Sequence, residues 1–130
     1  MRYVVSAMLL IVAIIHLIPL QGMLGNERLV SLYGPLPFAD SNLAILMRHR
    51  AVLLGALGLL LMLAAFQPAL QTVAFAAAFI SVVSCMWLVW LIGGHNAQLA
   101  RVFAADVVAL ICLFIGAAAR AYASSWSLNI

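Results

Sequence analysis

Met47-Arg48-His49-Arg50-Ala51-Val52-Leu53-Leu54-Gly55 stands near the front of a long apolar run that reaches Phe66, and its placement decides the fold. If the run began after Arg50, only Ala51 to Phe66 would remain. That is about 24 Å of helix at 1.5 Å per residue, against a bilayer core of roughly 30 Å. A membrane-length segment must therefore begin near Leu43 and carry at least part of Arg48-His49-Arg50 to the headgroups or below them. Asp40-Ser41-Asn42 supplies a helix start in front of it, and Gln67-Pro68 a stop behind it.

Working outward, three more such segments appear. The first runs from Tyr3 to Leu20, with Pro19, Gly22 and Gly25 marking its exit; the third from Leu70 to Ile92, ending at Gly93-Gly94; the fourth from Ala97 to Ala119. Connections of a few residues after the second and third make those neighbours antiparallel. The expected fold is all-α, an antiparallel bundle of four transmembrane helices at about 3–20, 43–66, 70–92 and 97–119, in one integral membrane domain over residues 1–130.

Composition agrees. Of 130 residues, 68% are hydrophobic and 7% charged, with a mean hydropathy of +1.25, far from the roughly 25% charged residues of soluble domains. Four helices fill this length, so no separate soluble catalytic domain is expected. The net charge of +3 comes from six dispersed arginines and no lysine, which is no nucleic-acid footprint. Arg2 before an apolar run resembles a signal peptide, but Tyr3 to Leu20 is long and lacks an Ala-x-Ala-like exit, so a retained first helix is expected.

The longest connection contains Asn26-Glu27-Arg28-Leu29-Val30-Ser31-Leu32-Tyr33-Gly34. Leu29, Leu32 and Tyr33 fall at helical spacing between an N-cap candidate, Asn26, and a C-cap candidate, Gly34, with Pro35 and Pro37 beyond. The spacing predicts a short amphipathic helix lying at the interface or lidding the bundle. The alternative is a connecting surface loop.

Apart from Arg2 and Arg120, every charge lies within Glu27 to Arg50 or Arg101 to Asp106, and His16, His49 and His95 lie in or near those stretches. In antiparallel helices these groups share one membrane face. Each costs roughly 2.5 to 3.5 kcal/mol at membrane depth, so a cluster of them marks a site. Successive helical residues turn by about 100°, so Arg48 and Arg50 face nearly opposite ways and one of them, or His49, faces the bundle. The alternative has both arginines on lipid phosphates. Asp106 sits in apolar sequence and needs a partner or a proton; His16, Arg48 and Arg50 are the candidates, and a purely structural ion pair is the plain alternative.

His95 ends the third segment on the same face, where it joins the lid or rim candidates Glu27, Arg28, Tyr33 and Arg101, or is simply solvated. No two histidines show HxxxH or HxH spacing, so no metal or haem is expected. Cys85 and Cys112 fall at similar depth in the third and fourth segments; they read as small packing residues, with a redox dithiol as the alternative. Ala51, Gly55 and Gly58 form a small face for close helix contact, and Trp87 and Trp90 suit an interface belt. Counting arginines near helix ends puts the first and third loops in the cytoplasm and both termini outside, unless Arg48 and Arg50 are buried and do not count.

Glu27-Arg28-Leu29 with Leu32-Tyr33-Gly34, then Asn42-Leu43, Leu46 to Gly55, and Ala105-Asp106-Val107-Val108 resemble the DoxX-like superfamily of small four-helix membrane proteins, in particular its short bacterial members. The resemblance covers most of the chain, and Arg48-His49-Arg50 is its distinctive part. It implies a bacterial inner (cytoplasmic) membrane location. Some relatives in the wider superfamily are linked to quinone-coupled oxidation of sulfur compounds, and others act as assembly factors. The residues themselves favour binding over catalysis: a polar pocket of His16, Arg48, His49, Arg50 and Asp106 that holds a quinone-like headgroup, an anionic lipid or another amphiphile, with an enzyme or transporter as the third reading. The alternative is an assembly factor or accessory subunit of a larger membrane complex, or a homo-oligomer, whose charged cluster only fixes the bundle.

Overall fold

A computed structural model describes residues 2–37 and 39–128; Met1, Phe38 and residues 129–130 of the expected domain lie outside the described residues. The described chain is helical, and four of its helices are long and apolar enough to cross a membrane. Helix α1 (Arg2–Leu17) passes into a 3-10 segment, Ile18–Leu24. The change comes at Pro19, which has no N–H to return to the α-helical ladder. The α-helical part therefore stops short of the expected Leu20, while the helical path continues beyond it.

Helix α2 (Asn26–Tyr33) follows, as the loop spacing predicts. Asn26 is its first residue rather than its cap, a position taken by Gly25. Gly34 closes it at φ 88°, a left-handed conformation that glycine adopts freely, and its amide reaches the Val30 carbonyl at 2.8 Å. Helix α3 (Ser41–Phe66) starts on Asp40, whose carboxylate accepts from the Asn42 amide at 2.9 Å. A 3-10 turn, Pro68–Leu70, leads into α4 (Gln71–Ile92). Helix α5 (Ala97–Leu128) outruns the expected end at Ala119, because Arg120 to Ala123 are sound helix formers and no glycine or proline interrupts them.

Helix α1 packs against α3 and α5, and α4 against α3 and α5. Later residues of α1 meet earlier residues of α3. Ser6 Oγ donates to the Ala65 carbonyl at 2.6 Å, Ala13 and Leu17 lie on Gly58, and Leu20 lies on Gly55. The small face expected of α3 makes this possible. A Cβ on Gly58 would stand 2.8 Å from Leu17 Cγ and 3.1 Å from the Ala13 carbonyl oxygen, and one on Gly55 2.8 Å from Leu20 Cδ1.

The main core gathers Leu9 and Val12 of α1, Leu61 and Ala64 of α3, Ala74 and Ala78 of α4, and Ala109 and Leu113 of α5. At its far end Gln71 donates to the Ala64 carbonyl at 3.2 Å and accepts from Arg120 Nε at 3.1 Å, so its buried amide is satisfied. A second cluster, Leu29 and Tyr33, seats α2 against α3 and α5 through Leu43, Met47, Leu99 and Val102.

Candidate functional site

Residues toward one end of each of the four long helices surround one cavity of about 480 Å³, while most of the main core lies toward the other. Helix α1 contributes His16, the 3-10 segment Pro19, α2 Tyr33, α3 Arg50, α4 Cys85, and α5 Gln98, Arg101 and Asp106. Leucines and isoleucines make up much of the remaining wall, among them Ile15, Leu54 and Leu88.

His16 lies in the last turn of α1 with 4% of its surface exposed, and its Nδ1 is 2.9 Å from the Val12 carbonyl. Arg50 donates to the Tyr33 hydroxyl, and its guanidinium carbon stands 5.3 Å from the centre of the Tyr33 ring. Cation–π attraction and the hydrogen bond thus hold the guanidinium on α2. Burial pushes the Tyr33 hydroxyl above its ordinary pKa of 10.0, with the Arg50 charge opposing the rise, so this group is a neutral phenol at physiological pH.

Asp106 faces the same cavity. Its carboxyl lies within electrostatic reach of Cys85, His16 and Arg50. Its Oδ2 is withdrawn from solvent with no hydrogen-bond partner, and Arg50 and Asp106 close no salt bridge. The ion pair that the sequence suggests for Asp106 is therefore not formed with His16, Arg48 or Arg50.

Of the expected ligand-binding residues, His16, Arg50 and Asp106 come together, and of the rim candidates, Tyr33 and Arg101 join them. Arg48 and His49 do not. The 100° step of the helix turns Arg48 to the opposite side, where Nη2 donates to Asn26 Oδ1 at 3.2 Å, and leaves His49 exposed. Glu27 and Arg28 are exposed because Leu29 and Tyr33 take the inward face of α2. His95 is exposed beyond two left-handed glycines, Gly93 and Gly94, which lead the chain outward before α5.

Sequence reasoning missed several lining residues, among them a thiol and an amide. Cys85, read there as packing, lies in the cavity, whereas Cys112 does belong to the core; both thiols are free. The available signal was the stripe Ser81, Ser84, Cys85 and Leu88 at helical spacing on α4, all of which line the cavity. Gln98 is the amide, set one turn before Val102 on α5.

Among the described residues no three His, Cys, Asp or Glu side chains converge as a metal-ligand set. The arrangement offers hydrogen-bond donors at Arg50 and Gln98, acceptors at His16 and Asp106, and apolar walls between, the wall chemistry of sites that hold small amphiphilic molecules. No protein-family model, curated protein or solved structure matches the chain.

Proposed function

We propose that this is an integral protein of the bacterial inner membrane, a DoxX-like up-and-down bundle of four transmembrane helices, whose cavity binds the polar head of a membrane amphiphile. Two facts support the topology: the four helices have membrane length, and α1 and α3 meet in reverse order along their lengths. In such a setting the close contacts at Gly55 and Gly58 hold the helices together, since lipid tails are as apolar as the leucines.

One observation carries the binding reading. Arg50 and Asp106 line one largely apolar cavity with no salt bridge between them. A guanidinium facing apolar walls calls for an acceptor, and a carbonyl or anionic head supplies one. A quinone-like ring or an anionic lipid head meets that need, with its tail along the apolar wall. The role is binding rather than catalysis.

The test compares Arg50→Lys with Arg48→Lys, reading the co-purified lipid and quinone by mass spectrometry. Lysine keeps the charge but loses the planar fork, so Arg50→Lys should deplete the bound species while Arg48→Lys, on the other side of α3, should not. Equal retention in both folded variants would refute the binding reading. The accessory-subunit reading would then take its place. It is favoured by α4, the least covered of the long helices, whose Ile80, Trp87, Trp90 and Leu91 are exposed.

A further inference from the structure

We infer that the cavity selects an uncharged head that carries a hydroxyl, and that His16 Nε2 is the atom that accepts its hydrogen. The inference rests on the amphiphile-binding reading and goes beyond it by naming the head and the recognising atom.

His16 is almost wholly buried, yet it lines the cavity. Its Nδ1 stands 2.9 Å from the Val12 carbonyl, and a carbonyl can only accept, so the ring hydrogen sits on Nδ1. In the neutral ring Nε2 is then a bare lone pair. No group among the described residues meets it, and it faces the cavity. A bare acceptor on the cavity wall is satisfied by a ligand O–H. Asp106 Oδ2, a buried oxygen with no partner, belongs to the same wall and reinforces the demand for a donor.

The opposite requirement comes from Arg50, fixed on Tyr33, whose remaining guanidinium hydrogens need an acceptor. A head with only carbonyls satisfies Arg50 and leaves His16 unmet. A head that is an aprotic anion satisfies Arg50 but brings no donor to His16. A neutral hydroxyl, which both donates and accepts, satisfies both sides. A phenol-like head on an alkyl chain is the simplest member of that class, and its ring and upper tail suit a cavity of about 480 Å³ with apolar walls.

The experiment uses the whole protein in phosphatidylcholine nanodiscs and three probes: para-dodecylphenol, its O-methyl ether para-dodecylanisole, and dodecyl phosphate. Binding is measured by native mass spectrometry and by competition. The phenol should bind about tenfold more tightly than the ether, the worth of one added hydrogen bond. In His16→Phe that preference should fall to near unity, and His16→Met serves the same end should the phenylalanine variant not fold. Equal binding of phenol and ether would overturn the inference while the amphiphile reading stands, as would a preference that survives both His16 substitutions. Binding of dodecyl phosphate alone would overturn it in favour of an anionic head. Binding of none of the three would remove both readings together.

Discussion

Asn96 Nδ2 donates to the Tyr33 carbonyl at 2.7 Å, while its Oδ1 accepts from the Leu99 amide at 2.8 Å. One side chain thus caps the start of α5 and secures the end of α2, the helix that presents Tyr33 to Arg50. Loss of both bonds in Asn96→Ala should cost about 1 to 2 kcal/mol by the cap alone and loosen α2. In Asn96→Asp the cap remains but the donor to Tyr33 is gone, so only α2 should loosen. Hydrogen exchange resolved along the chain separates the two, and unchanged exchange in α2 for both variants would show the tie to be without effect.

Gly58 tolerates no side chain at its present spacing, with Leu17 and the Ala13 carbonyl both inside contact distance of a Cβ. Gly58→Ala should push α1 from α3 and cost about 1 to 3 kcal/mol. Thermal unfolding in detergent checks it. Gly25, around which a Cβ meets nothing, should be sensitive only through its φ of 148°.

Tyr33 adds an alkaline limit to stability. Because burial raises its pKa above 10.0, the unfolded chain releases this proton first; the contribution is complete below about pH 10 and declines as pH climbs through and beyond that value. Melting temperatures at about pH 9 and about pH 11 should therefore diverge less in Tyr33→Phe than in the parent. An equal fall in both proteins would place the alkaline loss elsewhere.

Asp106 makes no ion pair, so its removal leaves no orphaned buried cation. Asp106→Leu should not show the loss of about 3 to 5 kcal/mol that breaking a buried pair brings, and should melt no lower than the parent. The same substitution should still weaken phenol binding. A large drop in melting temperature would mean that the carboxylate is structurally paired.

Cys85 reaches the cavity and Cys112 is packed in the core. N-ethylmaleimide should modify Cys85 in the folded protein, more slowly once para-dodecylphenol is bound, and should leave Cys112 intact. Peptide mapping after labelling reads both sites. Labelling of Cys112 ahead of Cys85 would contradict the placement.

Helix positions were legible because apolar length is a one-dimensional property: the runs before Pro19, after Asp40, after Pro68 and after Gly94 all become helices. The end of α5 was not, since hydropathy falls at Arg120 although the backbone has no cause to stop there. At the site, the rotation argument correctly separated Arg48 from Arg50 but could not say which one faces inward. That depends on how α3 is turned, and the small face Ala51, Gly55 and Gly58, by packing on α1 and its 3-10 extension, sets that turn. The place of Cys85 in the cavity escaped notice because its relation to Asp106 is purely tertiary. Asn96 escaped for another reason: capping asparagines are common, and the carbonyl it holds lies far away in sequence.

The cavity at one end of the four long helices rests on the main core as on a floor. Below His16, Arg50, Cys85 and Asp106 the floor is closed by Leu9, Val12, Leu61 and Leu113, none of which has measurable exposure, and only beyond that floor do Gln71 and Arg120 restore polarity. An amphiphile of the proposed kind would rest its head above that floor, held apart from Gln71 and Arg120 by packed side chains.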